Sequence, residues 1–238
     1  MAALTPLGVP PENRLLAALP RAEYERLLPH LERVHFPQGK VLYEAGDVVR
    51  RAYFVTKGMV SLLSMTEDGG TTEVAMVGNE GVTGIAIILR VGITPYRSMV
   101  QIPVDALSIK AEALKSELGR NAQFQDLLLR YTHSVLAQVS QSAVCNRFHT
   151  VEARLGRWLL VARDRVGSDS FQLTQELISH MLGTPRTVVT VAANKLQDAG
   201  LIRYKRGGIT ILNPQRLESA ACECYGVVAK EISHLFAA

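Results

Sequence analysis

One ten-residue stretch, Arg186-Thr187-Val188-Val189-Thr190-Val191-Ala192-Ala193-Asn194-Lys195, concentrates polar chemistry on one side of an expected helix. At 3.6 residues per turn, Val189, Ala192, Ala193 and Leu196 form an inward stripe, which leaves Arg186, Thr187, Thr190, Val191 and Asn194 facing out. The outward side chains are short, polar or small, which suits a helix entering the ~12 Å major groove of duplex DNA. Arg186 leads the helix and has the fork to bond guanine with two hydrogen bonds. Thr187, Thr190 and Asn194 can bond base edges or phosphates, and Val191 can meet a thymine methyl. Thr174 and Lys195 flank this set, and Lys205-Arg206 puts two cations in the next turn of the chain, suited to phosphate.

No comparable grouping suits covalent or acid–base chemistry. No nucleophile–base pair, paired carboxylates or phosphate-cradling glycine loop stands at a recognisable spacing, so an enzyme is not expected. The three cysteines, Cys145, Cys222 and Cys224, are one short of the four that hold an iron–sulfur cluster, and too few for a disulfide framework. On a continuous helix Cys222 and Cys224 face roughly opposite ways, so they are expected to be structural thiols that do not share a metal. The six histidines lack zinc spacing. No cofactor and no metal are expected.

The elements that must carry the outward set can be read from caps and turns. Thr174 is a good N-cap, Glu176 complements the positive end of the helix that follows, and Leu173 with Ile178 can form a hydrophobic staple. That helix meets Gly183, and Thr184-Pro185 starts the next, with Thr as cap and Pro in the first turn. Two helices joined this way make a helix-turn-helix. Leu201 to Ile211 then reads as a hairpin with a basic tip, a wing. Upstream, Val34 to Ile109 alternates short β-rich runs with glycine turns, the texture of an antiparallel barrel or sandwich.

Between these regions, Asn121 to Asn146 has neither Gly nor Pro and carries two apolar stripes. One is Phe124, Leu128, Tyr131 and Val135, continuing to Gln138, Ser142 and Cys145; the other is Leu129, Thr132, Leu136, Val139 and Ala143. Such a helix is either buried on two sides in the core or, the preferred reading, gives one stripe to the chain's own domain and one to a partner helix. The first, which holds polar residues, is assigned to the dimer seam. Thr150 to Val166 forms another helix, and a single last helix is expected from near Pro214, with Leu217, Ala221, Cys224, Val228, Ile232 and Leu235 on one stripe.

Charge divides along the same line. Segment 147–216 holds eleven Lys and Arg against five Asp and Glu, a balance of +6 that leaves −2 for the remainder of a chain at +4 overall. A basic third on a slightly acidic body points to one part that meets a polyanion. No apolar run approaches the ~18 residues of a membrane span. The start of the sequence lacks a secretory pattern, so a reducing cytoplasm is the expected compartment.

The order of these parts resembles the Crp/Fnr superfamily of bacterial transcription regulators. The resemblance rests on Asn13–Leu19, Phe36-Pro37-Gln38-Gly39 through Glu44-Ala45-Gly46-Asp47, Phe54-Val55-Thr56-Lys57-Gly58, and Leu173–Ile211. It implies an α+β chain with a cyclic-nucleotide-binding-like antiparallel β-roll over 1–120, a dimerising helix over 121–146, a winged helix-turn-helix over 147–214 and a C-terminal helix over 215–238. It further implies a homodimer on a palindromic promoter site, with double-stranded DNA and RNA polymerase as partners and no membrane. Members that bind cyclic nucleotides supply a Gly-Glu pair for the ribose and an Arg-Ser pair for the phosphate. Gly84 and Arg97-Ser98 match, but Ile85 replaces the acid, and no Asp or Glu lies between Gly81 and Pro103. An unpaired ribose hydroxyl costs ~1–3 kcal/mol. The effector is therefore expected to be something other than cAMP or cGMP, if there is one, and an apolar molecule near Ile85–Leu89 is one form it would take.

Overall fold

A computed structural model describes residues 12–205 and 207–237. Arg206 lies outside the described residues. The described chain opens with α1 (Arg14–Ala17) and α2 (Arg21–Leu27). Asn13 sets this corner: its carboxamide donates to Val55 O and Gly81 O, both at 2.8 Å, while its Oδ1 caps Leu16 N.

The antiparallel β-roll follows, built of β1 (Glu32–Phe36), β2 (Val41–Tyr43), β3 (Arg51–Met65), β4 (Thr71–Val77) and β5 (Arg97–Lys110), with the short α3 (Ile85–Ile88) between β4 and β5. The sheet runs in the order β1-β5-β3-β4, with β2 also pairing β5. Gly58 shows how closely the strands approach. With φ at +84°, a Cβ there would sit 1.9 Å from Pro103 O, so only glycine is accommodated. Along β3, Val60 and Leu62 join the core of the roll while Met59 and Leu63 join a second core behind it. Both faces of this strand are thus covered, which explains its nearly continuous apolar run.

A turn of chain then gives α4 (Ala111–Arg120) and the long α5 (Ala122–Phe148), whose N-cap Asn121 accepts a hydrogen bond from Phe124 N. α6 (Val151–Val166), capped by Thr150, leads through β6 (Ser170–Gln172) to α7 (Gln175–Leu182) and α8 (Arg186–Asp198). β7 (Ile202–Lys205) and β8 (Gly208–Ile211) form the wing, to which β6 adds a third strand that the sequence did not announce. The second core joins α6, α7, α8 and the wing to Met59, Leu63, Met76 and Ile102 of the roll.

Three expectations are corrected here. The stripe Phe124, Leu128, Tyr131 and Val135 is buried in the roll's own core, with Tyr131 Oη donating to Val82 O at 3.0 Å. It is not a seam for a partner. The other stripe faces out, with Leu129 44 % and Leu136 63 % exposed. The two were exchanged because both are apolar at helical spacing, and the polar members of the first have partners at home. Gln138, for example, accepts from Met76 N at 2.8 Å and donates to Met76 O at 3.3 Å. Secondly, the single last helix is two, α9 (Pro214–Ala220) and α10 (Cys224–Leu235). Ala221 is extended, at ψ 169°, where its Cα lies 3.4 Å from the place a Cβ on Gly156 of α6 would occupy. Thirdly, α8 begins at Arg186 with Pro185 in the cap position, one residue later than the caps suggested.

Candidate nucleic-acid interface and sensor cavity

The helix-turn-helix forms for local reasons. Thr174 Oγ1 accepts from Leu177 N at 3.2 Å, and Leu173 and Ile178 are both buried, as a staple requires. Gly183 ends α7 at φ +56°, the left-handed position where glycine carries no Cβ penalty. Val189, Ala192, Ala193 and Leu196 are buried, as their stripe predicted. Arg186, Thr187, Val191 and Asn194 are exposed on the opposite side.

One member of the outward set, Thr190, and the flanking Lys195 are partly engaged within the chain. Thr190 Oγ1 donates to Gln175 Oε1 and lies equally close, at 3.0 Å, to Arg186 O, which ties α8 to α7. Lys195 Nζ is 3.3 Å from Glu152 Oε2 of α6. Thr190 therefore contributes to the stiffness of the unit. Arg186, Thr174 and Tyr204 line one concavity between the helix and the wing, and Tyr204 Oη donates to Leu173 O at 3.2 Å. Lys205 is exposed at the end of β7, next in sequence to Tyr204.

In the β-roll, a cavity of about 420 Å³ opens beneath α5. Gly84, Ile85 and Ser98 line it, together with Leu62, Val135 and Val139. Arg97 does not. Neighbours on a strand point to opposite faces, and Arg97 turns outward to Glu44, with Nε 2.7 Å and Nη2 3.2 Å from the carboxylate oxygens. The expected phosphate half-site is thus split: its serine faces the cavity and its arginine is neutralised elsewhere. Tyr43 Oη at the cavity wall donates to Arg51 O at 2.7 Å and lies 3.0 Å from Thr83 Oγ1. Its burial pushes its pKa well above the ordinary tyrosine range, so it stays a neutral phenol.

Buried polar groups join the roll to the DNA-binding half. Arg165 of α6 pairs with Glu80 at 2.8 Å, both almost wholly enclosed. Trp158 Nε1 donates to Glu73 Oε1 at 2.7 Å, and Ser61 donates to the other oxygen. Burial pushes the Glu73 carboxyl up to about 7, against those two hydrogen bonds and the nearby Arg157 and Arg165. A titratable group between the two halves carried no signal in the sequence, because β4 and α6 are joined only by the fold.

The cysteines also depart from expectation. Because the helix breaks at Ala221, Cys222 and Cys224 converge instead of diverging, and with Cys145 they form a small buried cluster. A hydrogen bond with Cys222 draws the Cys145 thiol below the ordinary thiol range, with Arg157 adding to the effect against the cost of burial.

Comparison with known proteins agrees with this geometry. The Cyclic nucleotide-binding domain signature matches residues 33–121, and that of the Crp-like helix-turn-helix domain matches residues 153–220. The Global nitrogen regulator of Synechococcus elongatus is 25 % identical, over 87 % of this chain and 96 % of the relative. The CRP-like cAMP-activated global transcriptional regulator of Mycobacterium tuberculosis is also 25 % identical, over 82 % of this chain and 90 % of the relative. Among solved structures, a putative transcriptional regulator of the Crp/Fnr family from Eubacterium rectale superposes with a TM-score of 0.67 at 21 % identity. That match covers 88 % of this chain and 98 % of the other.

Proposed function

We propose a mode of action for this chain, which belongs to the Crp/Fnr family of transcription regulators and carries that family's helix-turn-helix. Two copies bind a palindromic DNA site as a homodimer in the bacterial cytoplasm, with α8 in the major groove and the wing along phosphates, and act on RNA polymerase. The observation that carries this reading is the exposed set Arg186, Thr187, Val191 and Asn194 on a helix whose other face is locked in a core. Arg186 reads a guanine, Thr187, Val191 and Asn194 read or exclude neighbouring bases, and Thr174, Lys195 and Lys205 meet phosphates. Arg206, next in sequence to Lys205, belongs with the phosphate group by its charge.

The partner helix meets Leu129, Thr132, Leu136, Val139 and Ala143, whose alternating spacing of three and four is that of a coiled-coil seam. Leu136 and Val139 also line the cavity, so the seam of the dimer forms part of the cavity's wall. The ligand this cavity suits is apolar and of modest size. A cyclic nucleotide would bring a phosphate past an arginine already paired to Glu44 and a ribose to Ile85, losing both polar contacts.

Selection of bound duplexes from a random library tests the DNA reading. Enrichment of an inverted repeat with half-sites ~34–36 Å apart is the expected result, and a library that stays random refutes it. Calorimetry with cAMP and cGMP tests the cavity. No tight binding is expected, and micromolar affinity coupled to stronger DNA binding would overturn that part alone.

A further inference from the structure

The end of α5 and the α9–α10 junction bring four metal-type donors together from widely separated stretches of chain. The Sγ atoms of Cys145, Cys222 and Cys224 and a ring nitrogen of His149 all lie within 4.8 Å of one another. Cys145 Sγ is 3.5 Å from Cys222 Sγ, and Cys224 Sγ is 3.4 Å from His149 Nδ1. An ion bound tetrahedrally, with metal–sulfur bonds of ~2.3 Å and metal–nitrogen bonds of ~2.0–2.1 Å, separates such donors by ~3.6–3.8 Å. The two short separations lie within a few tenths of an ångström of that spacing, and the widest, at up to 4.8 Å, would contract by about 1 Å around one ion. A cluster of several irons holds its thiolates further apart.

The surroundings are those of a coordinated anion. The far nitrogen of His149, Nε2, stands 3.2 Å from Glu223 Oε2, the carboxylate–histidine arrangement that orients an imidazole toward a metal. Gln141 Nε2 donates to Cys224 Sγ at 3.0 Å. Three thiolates around a divalent ion carry a net charge of −1, and Arg154 and Arg157, both buried, stand on α6, which starts two residues after His149. Their Nε atoms have no hydrogen-bond partner among the described residues. Three neutral thiols packed as plain filler would leave the buried Arg154, which donates to Leu182 O and makes no ion pair among the described residues, without a counter-charge.

We propose that Cys145, His149, Cys222 and Cys224 bind one thiophilic divalent cation, zinc in the first instance, in a tetrahedral Cys3His site. Zinc completes a closed coordination shell with these four donors, which makes the site structural. Its place gives it a task. Cys145 lies in the last turn of α5 and His149 caps it at the joint with α6, while Cys222 precedes and Cys224 opens α10, which packs back on α5. The ion pins the DNA-binding half to the end of the central helix and fixes the angle at which it leaves.

The test uses the full chain, purified under reducing conditions without chelator, with metal content read by mass spectrometry. One zinc per chain is expected, and Co²⁺ added to chelator-stripped protein should give the thiolate-to-metal charge-transfer band and strong visible bands of a tetrahedral site. Cys222→Ser should lose both, and Glu223→Gln should bind the same ion ~10–100-fold more weakly. The wild-type measurements decide the matter even if Cys222→Ser does not fold. Three results would overturn the proposal. They are reduced, folded wild type that takes up neither Zn²⁺ nor Co²⁺, iron with inorganic sulfide at several atoms per chain, and a Cys145–Cys222 disulfide in place of metal.

Discussion

The cavity of the β-roll and the outer face of α8 both hold hydroxyls, yet they treat them in opposite ways. In the cavity wall, Tyr43 bonds Arg51 O, Thr94 bonds Tyr96 O and Thr132 bonds Leu128 O, so these three hydroxyls are spent inside the chain. On α8, Arg186, Thr187 and Asn194 point into solvent, and their hydrogen-bonding capacity is kept for a ligand. A cavity arranged like the first selects by shape and apolar contact, and a face arranged like the second selects by donor and acceptor pattern.

α5 lies between these regions, and its two faces give the largest expected effects. Leu128→Ala removes a fully buried side chain from the roll's core and should cost ~2–5 kcal/mol of stability, read by denaturant unfolding. Leu136→Asp, on the exposed seam, should leave stability almost unchanged while sedimentation shows monomers and DNA binding falls with them. If Leu136→Asp remains dimeric, the seam is elsewhere, and the link between cavity and partner helix goes with it.

The sharpest test of the reading face is Arg186→Ala. Loss of a two-bond guanine contact should cost ~1–3 kcal/mol at one base pair of each half-site and relax preference there alone. Uniform weakening across all sequences would reassign Arg186 to phosphate.

These two predictions also separate what was legible in the sequence from what was not. The helix-turn-helix was legible because its determinants are local: Thr174 caps, Gly183 turns, and Val189 to Leu196 repeat at helical spacing within one helix. The faces of α5 were not, since Leu128 and Leu136 are the same residue, and only the strands packed against one of them decide which is buried. The split of Arg97 from Ser98 was hidden for a similar reason. The pair looks like a phosphate site in sequence, but adjacent strand residues face opposite ways, and Glu44 lies 53 residues off. The meeting of Cys145 with Cys222 spans 77 residues and depends on a helix break at Ala221 that no Pro or Gly marks.

Glu73 joins the cavity-bearing roll to α6 and gives a pH-dependent test of how firmly the two regions are coupled. The folded state holds its proton up to about 7, whereas its ordinary value is 4.5. Its contribution to stability is therefore complete below pH 4.5 and is lost as pH rises through 7. Glu73→Gln keeps an uncharged acceptor for Trp158 and should gain on the wild type as pH increases. The gain should reach on the order of 1–3 kcal/mol at pH 8 in paired thermal or denaturant melts. A difference between the two proteins that stays constant from pH 5 to 8 would mean that Glu73 is ionised throughout, held by Arg157 and Arg165.

The smallest expected effect belongs to the wing. Lys205 is exposed at the end of β7, next in sequence to Tyr204, but it has no helix to aim it into a groove. Its ammonium is a point charge on a flexible stem, so it attracts phosphate without choosing among bases. Lys205→Ala should therefore lower affinity by a similar factor on the selected site and on unrelated duplexes. It should also reduce the slope of log affinity against log salt by ~1, since one fewer counterion is released from the DNA. Arg186→Ala should change the sequence preference with little change of slope. The two variants compared on the same pair of duplexes give a two-by-two pattern of slope against selectivity. Only a division of labour between a base-reading helix and a phosphate-binding wing yields the crossed form of that pattern. A Lys205→Ala variant that altered selectivity with an unchanged slope would place the wing in a groove and overturn the contrast between the two surfaces.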